Sequence, residues 1–128
     1  MHVLIIGAGT GGLALAHALK QAGVGVSVYE RDLAPNADTG GYRVGISPAG
    51  SRALKACLPP ELYALFVATS ARSPRFFNIL TEQLSPVLCF ELEGEAADAM
   101  DGEKNVIRKT LRTILLMGLK KTLRSASA

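Results

Sequence analysis

The 128-residue chain predicts an α/β fold, and three observations carry that prediction. A β-branched apolar run, Val3 to Ile6, comes first. Four glycines then crowd into the six positions Gly7 to Gly12. A segment with apolar residues at three- and four-residue spacing comes next and leads into a second β-prone run, Val24 to Tyr29. Strand, tight turn, helix and strand in that order make a βαβ unit, whose crossover is expected to be right-handed.

Each element has its own warrant. Val3 to Ile6 suits a strand buried on both faces of a parallel sheet. From Thr10 the pattern is helical: Leu15, Ala18, Leu19 and Ala22 mark one face, and Gly23 ends the helix. His17 on this helix reads as a solvated residue, and with His2 it lacks any metal-ligand spacing. Residues 31–47 form a loop rich in Gly, Pro, Asn and Asp, with a short extended piece from Tyr42 to Ile46. Ser47 and Pro48 suit the N-cap and first position of a helix running to about Leu58, burying Ala49, Ala53, Leu54 and Cys57. Pro59-Pro60-Glu61 starts another helix, which ends near Thr69. Arg75–Thr81 and Pro86–Leu92 pair as antiparallel strands around the turn EQLS. Residues 93–104 are acidic and small and read as loop. Asn105 caps a last helix whose apolar face is Ile107, Leu111, Ile114, Leu115 and Gly118, with basic residues including Arg112 left to solvent. The tail SASA carries no structural signal, so the parallel sheet shows two strands, 2–6 and 24–30.

The glycines have separate tasks. Gly7, Gly9 and Gly12 fall on G-x-G-x-x-G, with Gly11 additional. The first permits the sharp turn out of the strand, the second leaves no Cβ in the way of a pyrophosphate, and the third lets helix and strand pack closely. Thr10 and Gly11 stand in the first helical turn, where free N–H groups and the positive dipole end face phosphates. Glu30 closes the second strand about 20 residues on, where a carboxylate accepts hydrogen bonds from ribose hydroxyls. The unit is therefore Rossmann-like and binds a dinucleotide.

Composition narrows the alternatives. Nearly half of the residues are hydrophobic and 20% are charged, which argues against global disorder. A net charge of +3, with three Tyr and four Phe, is too weak a footprint for nucleic acid. Cys57 and Cys89 sit in apolar surroundings without a C-x-x-C pattern, as buried free thiols of a reducing compartment do. The N-terminal apolar run is too short for a signal peptide and no segment is long enough to span a membrane, so the cytosol is expected. Ser47 lacks a nucleophile context, and the acids at 91, 93 and 95 have no partner; no side chain reads as a catalytic acid, base or nucleophile.

The choice of nucleotide turns on the order of elements after Glu30. An NAD dehydrogenase continues with alternating βα units. Here the chain continues with a glycine-bearing loop, a helix pair and a hairpin, which favours FAD. Three stretches, GAGTGGLALAHALKQAGVGVSVYERD, GGYRVGISPAGSRALKACLP and VIRKTLRTILLMGL, together resemble the FAD-dependent aromatic hydroxylases. These are the single-component flavoprotein monooxygenases similar to para-hydroxybenzoate hydroxylase. The likeness covers almost all of residues 1–120.

The resemblance implies that Gly7, Gly9 and Gly12 line the FAD pyrophosphate and that Glu30 holds the adenosine ribose. It sets Arg31 at the adenine end and Arg43 near the flavin. Arg108 matches the family's R-x-x-L-x-x-x-L arginine, which reaches the FAD. An Arg in a first helical turn opposes the dipole, and an anionic ligand relieves it. The resemblance also implies NAD(P)H as electron donor and a small aromatic substrate. The family's later D-G and G-D motifs are absent, and only the 75–92 hairpin belongs to the substrate domain. Residues 1–128 therefore read as an incomplete N-terminal FAD-binding domain, apparently truncated, exposing apolar surface that favours self-association or a partner chain supplying the missing half. These residues alone are expected to bind FAD poorly and to turn over no aromatic substrate. A non-catalytic nucleotide-binding module or partner subunit derived from such an enzyme, and an NAD-binding dehydrogenase fragment, stand as alternatives.

Overall fold

The computed structural model describes residues 1–31, 42–71, 76–91, 102–119 and 121–125. Its elements run β1 (His2–Ile6), α1 (Thr10–Gln21), β2 (Gly25–Glu30), β3 (Arg43–Ile46), α2 (Pro48–Cys57) and α3 (Pro60–Thr69). β4 (Phe76–Leu80), β5 (Pro86–Glu91), β6 (Lys104–Ile107), α4 (Arg108–Leu116) and β7 (Leu123–Ser125) complete the order. β1 and β2 pair in parallel, from His2 opposite Gly25 to Ile6 opposite Tyr29, as the βαβ reading requires.

The sheet has a third strand that the sequence did not announce. β7 lies parallel to β2, with Val28 opposite Leu123 and Glu30 opposite Ser125. The segment is short and polar, so only its position beside β2 makes it a strand; Val28 N–H donates to Thr122 O at 3.0 Å. A second correction concerns residues 104–107. They form β6, antiparallel to β3, and α4 starts from Ile107 rather than from an Asn105 cap. Asn105 is spent instead in the ladder, opposite Gly45, and its carbonyl accepts from Ala71 N–H at 2.6 Å. Residues 92–101, most of the expected acidic loop, lie outside the described residues, as do Arg75 and Leu92 of the expected strands.

The core lies between the sheet and the helices. α1 packs on β2, and α2 and α4 pack on α1, burying Leu13, Val28, Phe66, Leu111, Ile114 and Leu115. Each such side chain, fully buried, contributes about 1.5–3 kcal/mol. The α1 face is shifted from the expected one: Leu13, Ala16 and His17 are buried, whereas Leu15 and Ala22 are exposed. In α2 the buried residues are Ser51 and Leu54, with Ala49 and Ala53 exposed. Ser51 is tolerated there because its hydroxyl pairs with Tyr63 OH of α3 at 3.1 Å. The Ser47 cap is as expected, its Oγ accepting from Gly50 N–H at 3.2 Å.

His17 is buried, not solvated. It is 3% exposed, and its Nε2–H donates to the Leu115 carbonyl at 2.9 Å. Burial pushes its pKa below the ordinary 6.5; the bond to Leu115 O opposes that shift and the nearby Lys20 charge reinforces it. Three residues on, Lys20 Nζ donates to Gly118 O at 2.7 Å. Both contacts join α1 to the C-terminal end of α4, where free carbonyls need donors.

β1 is not buried on both faces. Ile5 is 7% exposed, but Leu4 and Ile6 on the other face are 62% and 84% exposed. Alternate residues of a strand face opposite sides, and among the described residues the helices cover one side. The β4–β5 hairpin forms as read, with Phe77 opposite Phe90 and the turn closed by Thr81 N–H on Ser85 O at 2.8 Å. Its strands are exposed along their whole length, Cys89 included. Cys57 is half-buried. Neither thiol is the fully buried one expected: Cys89 lies on a hairpin whose strands pack on each other, and Cys57 is the last residue of α2.

Candidate nucleotide site

The glycine turn is built as its spacing demands. Gly7 has φ +102°, a region that side chains rarely adopt, and its N–H donates to Tyr29 O at 2.7 Å. The turn is thus stitched to the end of β2, beside Glu30. A Cβ on Gly12 would overlap the Gly7 carbonyl oxygen and lie 3.3 Å from Ile5 Cγ2. That is the close helix–strand approach the third glycine permits. Gly9 is different: a Cβ there would meet nothing within 4 Å. It is the N-cap of α1, with extended backbone at φ −75° and ψ 177° and no side-chain cap. The first-turn N–H groups have no intrahelical acceptor, and the space beside Gly9 is open.

Glu30 is tied directly to this turn. Its Oε2 accepts from Ala8 N–H at 2.7 Å, and Arg112 Nη2 of α4 lies 3.7 Å from the same oxygen. The two side chains are 16% and 18% exposed. Arg112 also donates through Nε to the Ala8 carbonyl at 3.3 Å. Ala8, Gly9, Thr10, Glu30, Arg31, Arg108 and Arg112 line one cleft of about 230 Å³. Of the nine residues singled out from the sequence, five meet here: Gly9, Thr10, Glu30, Arg31 and Arg108. Gly7 and Gly12 shape the turn behind it, and Gly11 is exposed on the first helical turn.

Arg43 does not line the cleft. It sits on β3 opposite Ile107, exposed, with its guanidinium carbon 5.8 Å from the Tyr42 ring centroid. The pairing matters indirectly, because Tyr42 O accepts from Arg108 N–H at 3.2 Å and fixes the start of α4. Arg112, expected in solvent, is at the cleft instead. The signal for it was present: it stands four residues after Arg108, on the same helix face. A larger groove of about 460 Å³ lies between α3 and α4, lined by Leu65, Thr69, Ile107, Thr110, Ile114 and Met117 among others. Among the described residues its lining adds Lys109 and Thr113 and carries no carboxylate.

Taken as a donor set, the cleft combines, among the described residues, a helix N-terminus, three guanidinium groups and one carboxylate. That is the chemistry of a nucleoside diphosphate: phosphates for the N–H groups and cations, ribose hydroxyls for the acid. The open space at Gly9 and the absence of acids in the first turn of α1 both fit a pyrophosphate group there.

The fold is a Rossmann-like α/β one, and comparison with known proteins defines its family. The FAD dependent oxidoreductase family matches residues 2–122. The chain belongs to that family. A dual O-methyltransferase/FAD-dependent monooxygenase of Cercospora beticola is 33% identical over 126 residues, covering 91% of this chain and 14% of that protein. A probable FAD-dependent monooxygenase of Arthroderma benhamiae is 68% identical over 34 residues, covering 27% of this chain and 8% of its own length. A crystal structure of a putative FAD-containing monooxygenase from Photorhabdus luminescens is 32% identical with a TM-score of 0.75, over 98% of this chain and 30% of that one. Klebsiella pneumoniae HpxO, complexed with FAD and uric acid, shares the fold at 21% identity and a TM-score of 0.68, over 98% of this chain and 30% of its own. The chain thus spans under a third of the length of these relatives. None of its described helices is long and apolar enough to cross a membrane.

Proposed function

We propose that this chain is the FAD-binding portion of an NAD(P)H-dependent monooxygenase that hydroxylates an aromatic or related small molecule. The observation that carries the reading is the single cleft in which Gly9, Thr10, Glu30, Arg31 and Arg108 converge at the N-terminus of α1. FAD, when bound, supplies the electron transfer from the nicotinamide donor to dioxygen on which such hydroxylation depends. The chain's own residues bind and orient. Gly9 and the first-turn N–H groups receive the pyrophosphate, with Gly7, Gly11 and Gly12 shaping that turn. Glu30 takes the ribose, Arg31 lies toward the adenine, and Arg108 supplies charge to the phosphates. The family resemblance alone assigns Arg43 to the flavin side; Arg43 lies on β3, outside the cleft.

The proposal gives FAD binding to these residues and hydroxylation to a protein of the relatives' length. There the 75–92 hairpin opens the substrate domain. The exposed apolar residues of the hairpin and of β1 support burial against further protein. Two free cysteines support a reducing, cytosolic setting. Flavin fluorescence and calorimetric titrations of the purified chain with FAD, and separately with NAD, test the cofactor assignment. FAD binding in preference to NAD is the expected result. Preference for NAD would replace this reading with that of a dehydrogenase fragment.

A further inference from the structure

Arg112 joins three separate parts of the site. It stands on α4, one turn beyond Arg108, and reaches across to the glycine turn and to the end of β2. Its Nε–H donates to Ala8 O at 3.3 Å, and its Nη2 is 3.7 Å from Glu30 Oε2. Glu30 Oε2 in turn accepts from Ala8 N–H at 2.7 Å. Both polar groups of Ala8, the Glu30 carboxylate and the Arg112 guanidinium therefore close a ring. Ala8 is fully buried and the two charged side chains are less than a fifth exposed, so water screens the ring weakly.

Resting on the nucleotide reading above, we propose that Arg112 is a positioning residue for ribose recognition. It fixes the Glu30 carboxylate and the Ala8 peptide in one orientation, and so sets the discrimination between a nucleotide with ribose hydroxyls and one without. Its Nε reaches Ala8 O and its Nη2 lies 3.7 Å from Glu30 Oε2, and the task rests on these two contacts. A planar fork is needed, because a lysine ammonium on a flexible stem does not hold two acceptors in fixed register. The ring also explains how the turn keeps its shape around Gly9, whose N-cap has no side chain of its own.

The test compares ADP with 2′,3′-dideoxy-ADP by NMR titration of the full chain. The wild type is expected to favour ADP about tenfold, as one hydrogen bond to a charged group allows. Arg112→Met, which keeps the apolar stem, should cut that ratio to about twofold by weakening ADP more than dideoxy-ADP. Arg112→Lys should give an intermediate ratio, and it carries the test if the methionine variant does not fold. In the ligand-free variants, hydrogen exchange at the Ala8 amide should speed up about tenfold. Equal weakening of both ligands would mean that Arg112 contacts phosphate directly, and would overturn the proposal. An unchanged ratio with unchanged exchange would overturn it as well. A wild type that binds neither ligand would sink the nucleotide reading instead. The Ala8 exchange rate alone would then decide whether Arg112 braces the turn.

Discussion

Gly9→Val and Gly12→Ala should separate ligand space from packing space at the glycine turn. At Gly12 an added Cβ overlaps the Gly7 carbonyl oxygen and presses on Ile5 Cγ2 at 3.3 Å. The nearer neighbour is backbone, which does not rotate away, so overpacking costs about 1–3 kcal/mol. Against the middle of that range, alanine's return of up to about 1 kcal/mol in helix propensity leaves a net loss of about 1–2 kcal/mol. For a chain of this size that lowers Tm by roughly 4–8 °C. At Gly9 the backbone is extended and nothing lies within 4 Å of the added Cβ, so valine is accommodated in the free protein. Its cost is that of a poorer N-cap, under about 1 kcal/mol. It does fill the open space beside Gly9. Losing one or two charged hydrogen bonds of about 1.5–3 kcal/mol each should weaken FAD binding about a hundredfold. Thermal melts followed by circular dichroism, paired with FAD titrations, read both effects. Wild-type affinity in Gly9→Val would show that the cleft does not hold the phosphates. An unchanged Tm in Gly12→Ala would refute the packing argument.

Three further outcomes are expected. Glu30→Gln removes the charge that accepts from Ala8 N–H and takes the ribose, and calorimetry should show FAD binding weakened about tenfold or more; an unchanged Kd would remove Glu30 from the site. His17 resists protonation in the folded protein, so the unfolded chain binds more protons once pH falls below its ordinary 6.5. The stability it contributes is complete above that value and is lost as pH falls toward its depressed folded pKa. The wild-type minus His17→Gln difference in denaturant stability should therefore shrink between pH 7.5 and 5.5, and a difference that grows would contradict the assignment. Cys89, exposed on β5, should react with a maleimide within the mixing phase of a native-state assay, well before half-buried Cys57. Equal rates for the two would mean that the hairpin is covered.

The elements of the first 30 residues, though not which faces they bury, were legible because their signals are local. Glycine spacing, β-branched runs and a terminal acid each act within a few residues, and they suffice for β1, α1, β2 and the Gly7 turn. The Ser47 cap and the hairpin turn were legible for the same reason. The features that escaped were decided by distant partners. β7 is a strand only because β2 lies beside it, and Asn105 joins a ladder because β3 offers acceptors, which outweighs its tendency to cap. His17 reads as a surface residue until Leu115, 98 residues away, supplies an acceptor. Arg112 reads as one of many basic residues until α4 turns that face toward Glu30. Position on the right face was visible; the partner was not.

The most direct test of FAD binding at this cleft is a map of backbone amide shifts in the ¹⁵N-labelled chain on titration with FAD. Saturable shifts should concentrate at residues 8–12, 30–31 and 108–112, which surround the cleft at the N-terminus of α1. Little change is expected in the hairpin strands 76–91. Shifts centred instead on the α3–α4 groove or on the hairpin, or a spectrum unmoved by FAD, would contradict the assignment.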